Sequence, residues 1–406
     1  MPDKAKINWP EITDESLFPE AVAGKNKPNV AWEKWEAAYK TTYYDYIKVQ
    51  VEKEKSIIAV NDSMLRLGNY KKLSRQWLSA LKLHGALLPL AEFAAVIGNM
   101  RAARFARDSN WRDMALIGAL DELRHTQIPL RLNHFLVRQD KQFDWTHKFY
   151  HSNNWIAIAA RHCFDEMLHA ANPIEFAIAT NFVFENGFTN LQFIGLAALG
   201  AEVGDGLFEE MVSSIQTDEA RHAQIGTAVL DLLADDKEEV QRMVDKWFWR
   251  SWRLFAIATG ISTDYFTPIE HRKTSFKEFM QEWVIRQFQT TLDRYGLKRP
   301  WYWNIFEEEL DYFHHMAYAS AYSYRASTWF DQVLPSPQDL EWLRSKYPGS
   351  WPKIEPIWQH MIRGWQEAVP GLDFAVHGSA IMGFCNLCQV VLCGGTPQTN
   401  TTIVEE

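Results

Sequence analysis

The sequence predicts an all-α protein, with a four-helix core wrapped by further helices. Three observations carry that reading. An eight-residue phrase is used twice, from Asp121 to Ile128 (DELRHTQI) and from Asp218 to Ile225 (DEARHAQI), with six of the eight positions identical. Apolar and aromatic residues recur at near-helical spacing along most of the chain. No convincing run of strand-like alternation occurs before Met382.

Taken in order, residues 1–30 carry Pro2, Pro10, Pro19 and Pro28 among polar residues and read as an extended arm, expected to lie on another subunit. Trp32, Trp35, Tyr39, Tyr43, Tyr46 and Val49 give helical spacing up to Leu67. An apolar helix around Glu92 follows, then the first repeat helix from about Trp111 to Val137. Residues 138–155 are charged and aromatic and read as a connection. A helix from Asn154 to Ala171 comes next. Asn172 and Pro173 end it and start another, because proline suits a first helical turn. The second repeat helix runs from about Leu207 to Ala234. Amphipathic helices are expected over Glu238–Thr259, Ser275–Tyr295 and Asn304–Phe330, with breaks at Pro335-Ser336-Pro337 and Pro348-Gly349. Residues 31–370 read as one large helical domain and 371–406 as an irregular tail.

Each repeat holds Glu-x-x-His: Glu122 with His125, and Glu219 with His222. Residues three apart share a helix face, so each phrase aims a carboxylate and an imidazole at one point. Two such helices make half of a dinuclear carboxylate site, and the other half needs one Glu from each of two more helices. Between Ser63 and Arg107 the only acidic residue is Glu92, in an apolar run. A lone carboxylate there must be neutralised, paired or metal-bound. The second candidate is Glu185, inside the apolar stretch Ile174–Asn190. Turn-like patches at Asp108–Asn110 and Gly200–Gly206 lie midway between Glu92 and Glu122 and between Glu185 and Glu219. In each hairpin the pair therefore sits roughly 20 Å from the tip at 1.5 Å per residue.

Carboxylate with imidazole suits iron or manganese more than thiolate-preferring metals. Each His should be oriented through its second ring nitrogen. Asp121 and Asp218, one turn before each His, are expected to do this, with Arg124 and Arg221 neutralising them. Thr189 lies one turn after Glu185 and places a hydroxyl toward the same point. Phe184, Phe188 and Phe193 on that helix, and Leu88, Ala91 and Ala95 beside Glu92, are expected to line an apolar pocket, which implies an apolar substrate.

The remaining features exclude more than they suggest. The chain has 406 residues, 47% hydrophobic, with a net charge of −9. That gives no electrostatic reason to expect nucleic acid or an anionic membrane as partner. No run of eighteen uncharged apolar residues appears, and the N-terminus lacks the apolar core of a signal peptide. A cytoplasmic location is the expectation. Four Cys do not suggest a disulfide scaffold. Cys385, Cys388 and Cys393 lack a fourth zinc ligand at useful spacing. Glu166 and His169 form a decoy Glu-x-x-His without the rest of the phrase. His84 reads as a hydrogen-bonded core residue, and His314 and His315 as part of aromatic packing.

These motifs resemble the hydroxylase large (α) subunit of the soluble bacterial multicomponent di-iron monooxygenases, of the kind acting on toluene and related aromatics or on alkenes. The resemblance runs from Trp32 to about Cys388. It rests on Asp121–Gln127, Phe184–Asn190 (FENGFTN), Ser214–Gln224 (SIQTDEARHAQ) and Lys298–Trp303 (KRPWYW). It implies a ferritin-like core with two iron ions, one held by Glu92, Glu122 and His125 and the other by Glu185, Glu219 and His222. It implies Thr189 as the active-site threonine, Asn190 and Gln216 as polar residues that respond when a regulatory protein docks, and Phe164, Phe184 and Phe193 as pocket positions. The implied partners are β and γ subunits in a dimer of αβγ protomers, a small effector protein, and an NADH reductase, in many members acting through a Rieske ferredoxin. The implied reaction inserts one atom of O2 into a hydrocarbon and reduces the other to water. Thr180 departs from the pattern, standing where aromatic-oxidising relatives carry an aliphatic residue. Such α subunits usually continue past the point corresponding to Glu406. Two other readings share the helical core. A radical-storing ribonucleotide reductase small subunit would have Tyr where Pro129 stands, and an iron-storage protein would have polar iron paths.

Overall fold

A computed structural model of the chain describes residues 41–105, 108–144, 155–168, 172–233, 235–323 and 332–368, with a few isolated positions besides. The expected N-terminal arm, the tail with its three cysteines, and His169 lie outside the described residues. Among those described, every regular element is helical.

Helix α1 (Tyr43–Arg66) is started by Thr42, whose hydroxyl accepts from the Asp45 amide. Helix α2 (Arg75–Phe105) carries Glu92, and α3 (Ser109–Leu136) carries Glu122 and His125. Between them Asp108 caps α3 through the amides of Asn110 and Trp111, satisfying N–H groups that no preceding turn can reach. Helix α4 (Trp155–Leu168) is followed by α5 (Pro173–Ala177), capped by Asn172. From Ile178 to Thr189 the same rod continues as a π-helix, then returns to α-geometry as α6 (Asn190–Glu202). A left-handed Gly204 and the N-cap Asp205 turn the chain into α7 (Gly206–Leu232), which carries Glu219 and His222. The four-helix core is α2 packed along α3, and α7 packed along the π segment and α6.

Two prolines sit inside the first hairpin, Pro89 in α2 and Pro129 in α3. Pro89 has no N–H for the carbonyl of Gly85, four residues earlier. The Asn133 side-chain amide of α3 donates to that carbonyl instead, at 2.8 Å. Trp77 ties the two hairpins together by donating from Nε1 to Asp205 at 2.8 Å.

Outside the core lie α8 (Lys237–Phe255), two short π segments (Ala256–Gly260 and Ser262–Phe266), and α9 (Phe276–Phe279), which runs through a π segment into α10 (Arg286–Tyr295). Four further helices follow: α11 (Trp303–Glu309), α12 (Phe313–Ser323), α13 (Pro337–Lys346) and α14 (Trp351–Ala368). The single helix expected over Asn304–Phe330 is broken at 310–312. No Gly or Pro marks that break, and its cause is tertiary. Ser350 donates to the Asp311 carbonyl at 2.5 Å, and Lys277 pairs with the Asp311 carboxylate. Helix α2 is long and apolar enough to cross a membrane by length and composition, but 67% of its apolar window is buried inside the protein.

Candidate metal centre

Four elements bring Glu92, Glu122, His125, Glu185, Glu219 and His222 to one buried point. Two overlapping ligand groups result, Glu92 with Glu122, His125 and Glu219, and Glu122 with Glu185, Glu219 and His222. Glu122 and Glu219 belong to both, an arrangement that suits shared ligands between two cations and that spacing alone did not reveal. His125 Nδ1 stands 3.3 Å from Glu122, 3.4 Å from Glu219 and 3.8 Å from Glu92. His222 Nδ1 stands 3.1 Å from Glu122 and 3.5 Å from Glu185. The two imidazole centroids are 6.1 Å apart.

The electrostatics are those of a cage built for positive charge. Burial pushes the carboxyls of Glu92 and Glu219 up, and that of Glu185 up to about 7. Burial acts the same way on Glu122, but His222 and His125 outweigh it and hold that carboxyl down. Burial alone would lower both histidines, yet the carboxylates and aspartates around them raise both. Glu122 Oε1 and His222 Nδ1 face each other at 3.1 Å without hydrogen-bond geometry, and Glu219 Oε2 has no hydrogen-bond partner; all three atoms are buried. Orphaned acceptors at the focus of four carboxylates and two imidazoles fit a pair of oxidisable divalent ions: the donors are oxygen and nitrogen, and four carboxylates balance two divalent charges.

The second ring nitrogens are oriented, but not by the expected partners. His125 Nε2 meets Asp218 at 3.2 Å, and His222 Nε2 meets Asp121 at 3.2 Å. Each aspartate serves the histidine of the other repeat helix, not the one four residues on. With Nδ1 facing the centre, Nε2 points across to the facing helix, where the repeat places the other Asp. Arg124 pairs with Asp218 at 2.8 Å, and Arg221 bonds Asp121 at 2.8 Å and Asp218 at 2.5 Å.

Helix α1 completes this layer, and sequence reasoning missed it. Tyr46 donates to Asp121 at 2.9 Å and Lys53 pairs with Asp218. Gln50 Nε2 donates to both, 2.9 Å to Asp121 and 3.0 Å to Asp218. Asn181 was missed too. It is buried and donates from Nδ2 to Glu185 Oε2 at 2.6 Å. The one available signal was a carboxamide four residues before Glu185 in an apolar run.

Beside the centre lies a cavity of about 70 Å³, walled by Leu88, Ala91, Ala95, Phe164, Thr180, Phe184 and Phe193, with Glu92, Glu185, Glu219 and Thr189 at its rim. The π-helix explains how one rod supplies so much of this wall. Its i→i+5 bonding widens each turn, so the nine steps from Thr180 to Thr189 span about two turns. In an α-helix those positions would face opposite ways. Asn190 and Gln216 stand on neighbouring helices and share a hydrogen bond of 3.0 Å.

Other candidate ligands stay apart from this point. Glu166 pairs with His162 and Arg250. His84 is buried against Ser262 Oγ at 2.9 Å, and burial lowers its pKa to about 4. Asp264, His314 and His315 form a second buried group. Asp264 already accepts from the Phe276 amide at 2.9 Å and from Tyr347 at 2.5 Å, and meets His314 at 2.7 Å, while the two imidazole centroids lie 3.8 Å apart with their planes tilted by 40°. That is a hydrogen-bonded aromatic core.

Fold and site together define an all-helical protein whose core holds a buried carboxylate–histidine cluster suited to metal. Residues 13–237 match the family described as methane/phenol/alkene hydroxylase, and the chain belongs to that family. It is 38% identical over 348 residues to the oxygenase component α subunit of the alkene monooxygenase system of Xanthobacter autotrophicus, covering 85% of this chain and 70% of that one. It is 28% identical over 386 residues to the oxygenase component DmpN of phenol 2-monooxygenase from Pseudomonas sp. strain CF600, covering 92% and 72%. The crystal structure of xenon-pressurised phenol hydroxylase from Pseudomonas sp. OX1 superposes with a TM-score of 0.78 at 27% identity, covering 87% of this chain and 72% of that one. The chain is an oxygenase α component of a monooxygenase.

Proposed function

We propose that the centre holds two iron ions and that the substrate is a short alkene, oxidised to its epoxide. The observation that carries this is the cavity. It is apolar, opens onto Glu92, Glu185 and Glu219, and measures about 70 Å³. An apolar core cavity that takes benzene is on the order of 150 Å³. A molecule of two to four carbons fits the smaller volume better than a toluene ring, and the alkene monooxygenase similarity agrees with that size.

Glu92, Glu122 and His125 would hold one ion and Glu185, Glu219 and His222 the other, with Glu122 and Glu219 placed to touch both. When bound, the pair supplies reduction of O2 and delivery of one oxygen atom to the hydrocarbon. The rest falls to the chain. The apolar wall excludes water and keeps the hydrocarbon against the centre. The hydroxyl of Thr189, buried and without a hydrogen-bond partner, is positioned to carry a proton at the cavity rim. Asp121 and Asp218 keep each imidazole in one tautomer and orientation.

Residues 31–370 would form the hydroxylase domain. The implied β and γ subunits, effector protein, and reductase or ferredoxin would complete the system. A surface suited to a partner exists: Phe93, Ile97 and Met100 on α2 and Leu116, Leu120 and Leu123 on α3 leave an apolar stripe exposed. Asn190 and Gln216 are proposed to respond to the effector. The test is to purify the chain with its co-expressed partner subunits, count iron, and supply electrons with propene or toluene. About two iron per chain and preferential epoxide formation from propene are expected. A protein that takes up no iron from ferrous salt under anaerobic conditions would overturn the reading.

A further inference from the structure

We propose that the Thr180 hydroxyl is a hydrogen-bonding contact for the oxygen atom of a small organic ligand, so that the cavity holds an epoxide or short alcohol more tightly than the hydrocarbon it came from. The proposal deepens the alkene-oxygenase reading and rests on it for the identity of the ligand. Its physical basis is separate. Thr180 lines the cavity at 4% exposure, and its Oγ1 has no hydrogen-bond partner. A buried hydroxyl left without a partner carries a desolvation penalty that a purely apolar side chain at the same place would not. A threonine on a helix usually settles this by bonding back to a carbonyl of the preceding turn. Thr180 makes no such bond, whereas Thr126 on α3 bonds back to Glu122 at 2.9 Å.

The position of this hydroxyl decides what it is for. On the π-helix, Thr180 stands about one wide turn before Glu185 and Thr189 about one turn after it. The carboxylate is flanked on its own helix by two unpartnered hydroxyls, both in the wall of one cavity. Nearby polar groups do not satisfy Thr180. The His84 ring also lines the cavity but turns its Nε2 to Ser262. An alkene has no atom to accept from Thr180. Once an oxygen has been added, it has one. The hydroxyl therefore discriminates between the ligand before and after oxidation, and it draws the newly oxygenated carbon toward the helix wall.

The test compares the wild type with Thr180→Val, which removes the hydroxyl, and Thr180→Ser, which keeps it, in the assembled hydroxylase. Affinities for 1-propanol, propene oxide and propene are measured by ligand-induced shift in melting temperature, with iron-loaded and with metal-free protein. The ratio of propene oxide to propene affinity is expected to fall roughly five- to tenfold in Thr180→Val and to recover in Thr180→Ser. An unchanged ratio overturns the proposal, as does an equal loss for propene and 1-propanol, which would mean a packing role. A crystal soaked with 1-propanol in which Thr180 bonds only a water also overturns it. The metal-free arm separates the two readings. A wild type that binds no iron defeats the oxygenase assignment, while the affinity ratio still reports on the hydroxyl.

Discussion

Gly226 lies on α7 four residues after His222, and a Cβ added there would sit 2.4 Å from the Asn181 carbonyl oxygen, 2.5 Å from its carbon and 2.7 Å from Phe182 Cα. All three are backbone atoms of the π-helix, so no rotamer change relieves the clash. Ordinary contact needs about 3.5 Å, so Gly226→Ala must drive α7 and the π segment apart by about 1 Å. The wedge falls between His222, one turn before Gly226, and Glu185, one turn after Asn181. Removing glycine from a helix gains about 1 kcal/mol, while overpacking against a rigid wall costs roughly 1–3 kcal/mol or more. A net loss of about 1–2 kcal/mol is expected in thermal unfolding. The larger effect is on metal, because ligand distances must hold within about 0.2 Å. Titration with Mn(II), followed by electron paramagnetic resonance, should show the ion held by Glu185 and His222 bound at least about tenfold more weakly than in the wild type, with a smaller loss for its neighbour through the shared Glu219. Gly118→Ala is the control, since its Cβ would meet only the Asn99 side chain at 3.5 Å. Two ions bound with wild-type affinity and an unchanged melting temperature in Gly226→Ala would refute the argument.

The crossed aspartates make a second prediction. Asp218→Asn should weaken the ion held by His125, on the other helix, by roughly 10- to 100-fold, and Asp121→Asn the ion held by His222, both read by the same titration. Metal uptake should release protons, because Glu185, raised to about 7, is largely protonated below that pH in the metal-free protein. Apparent affinity should therefore fall as pH drops from 8 to 6, which calorimetry in buffers of different ionisation enthalpy will show. Acid stability carries a separate signature from His84. Burial lowers its pKa from the ordinary imidazole value of about 6.5 to about 4, so below 6.5 the unfolded chain binds a proton that the folded chain refuses. Stability should fall by about 3 kcal/mol between pH 6.5 and 4, and His84→Gln should flatten that window in denaturant titrations.

Much of the centre could be read from residue spacing because it is written locally. The doubled phrase places a Glu and a His on one face by helix geometry alone, and Glu92 and Glu185 stand out as acids in apolar runs. What escaped is what depends on neighbours. The stretch Ile178–Thr189 carries no local mark of a π-helix, yet that geometry turns Thr180 and Thr189 into one wall. Gly226 shows why the packing there is unusual, but only once its neighbour is known. The exchange of Asp121 and Asp218 between the two histidines follows from facing helices, not from i,i+4 spacing. Gln50 and Lys53 belong to a helix with no ligand of its own, so nothing in their local sequence pointed inward.

Helix α1 buries four residues, of which only Ile57 is aliphatic. Met64 and Leu65 pack against the core near its C-terminal end, and the remaining moorings are polar: Tyr46, Gln50 and Lys53 on the two aspartates, and Glu54 on Arg124 and Arg131. Because Asp121 and Asp218 are fully buried, salt screens these attachments far less than it would exposed pairs, and removing one partner leaves a costly buried charge. The anions that steady the two imidazoles are the same ones that tether this helix. A tug on α1 therefore reaches both halves at once through the carboxamide of Gln50, and neutralising either anion slackens the whole outer layer.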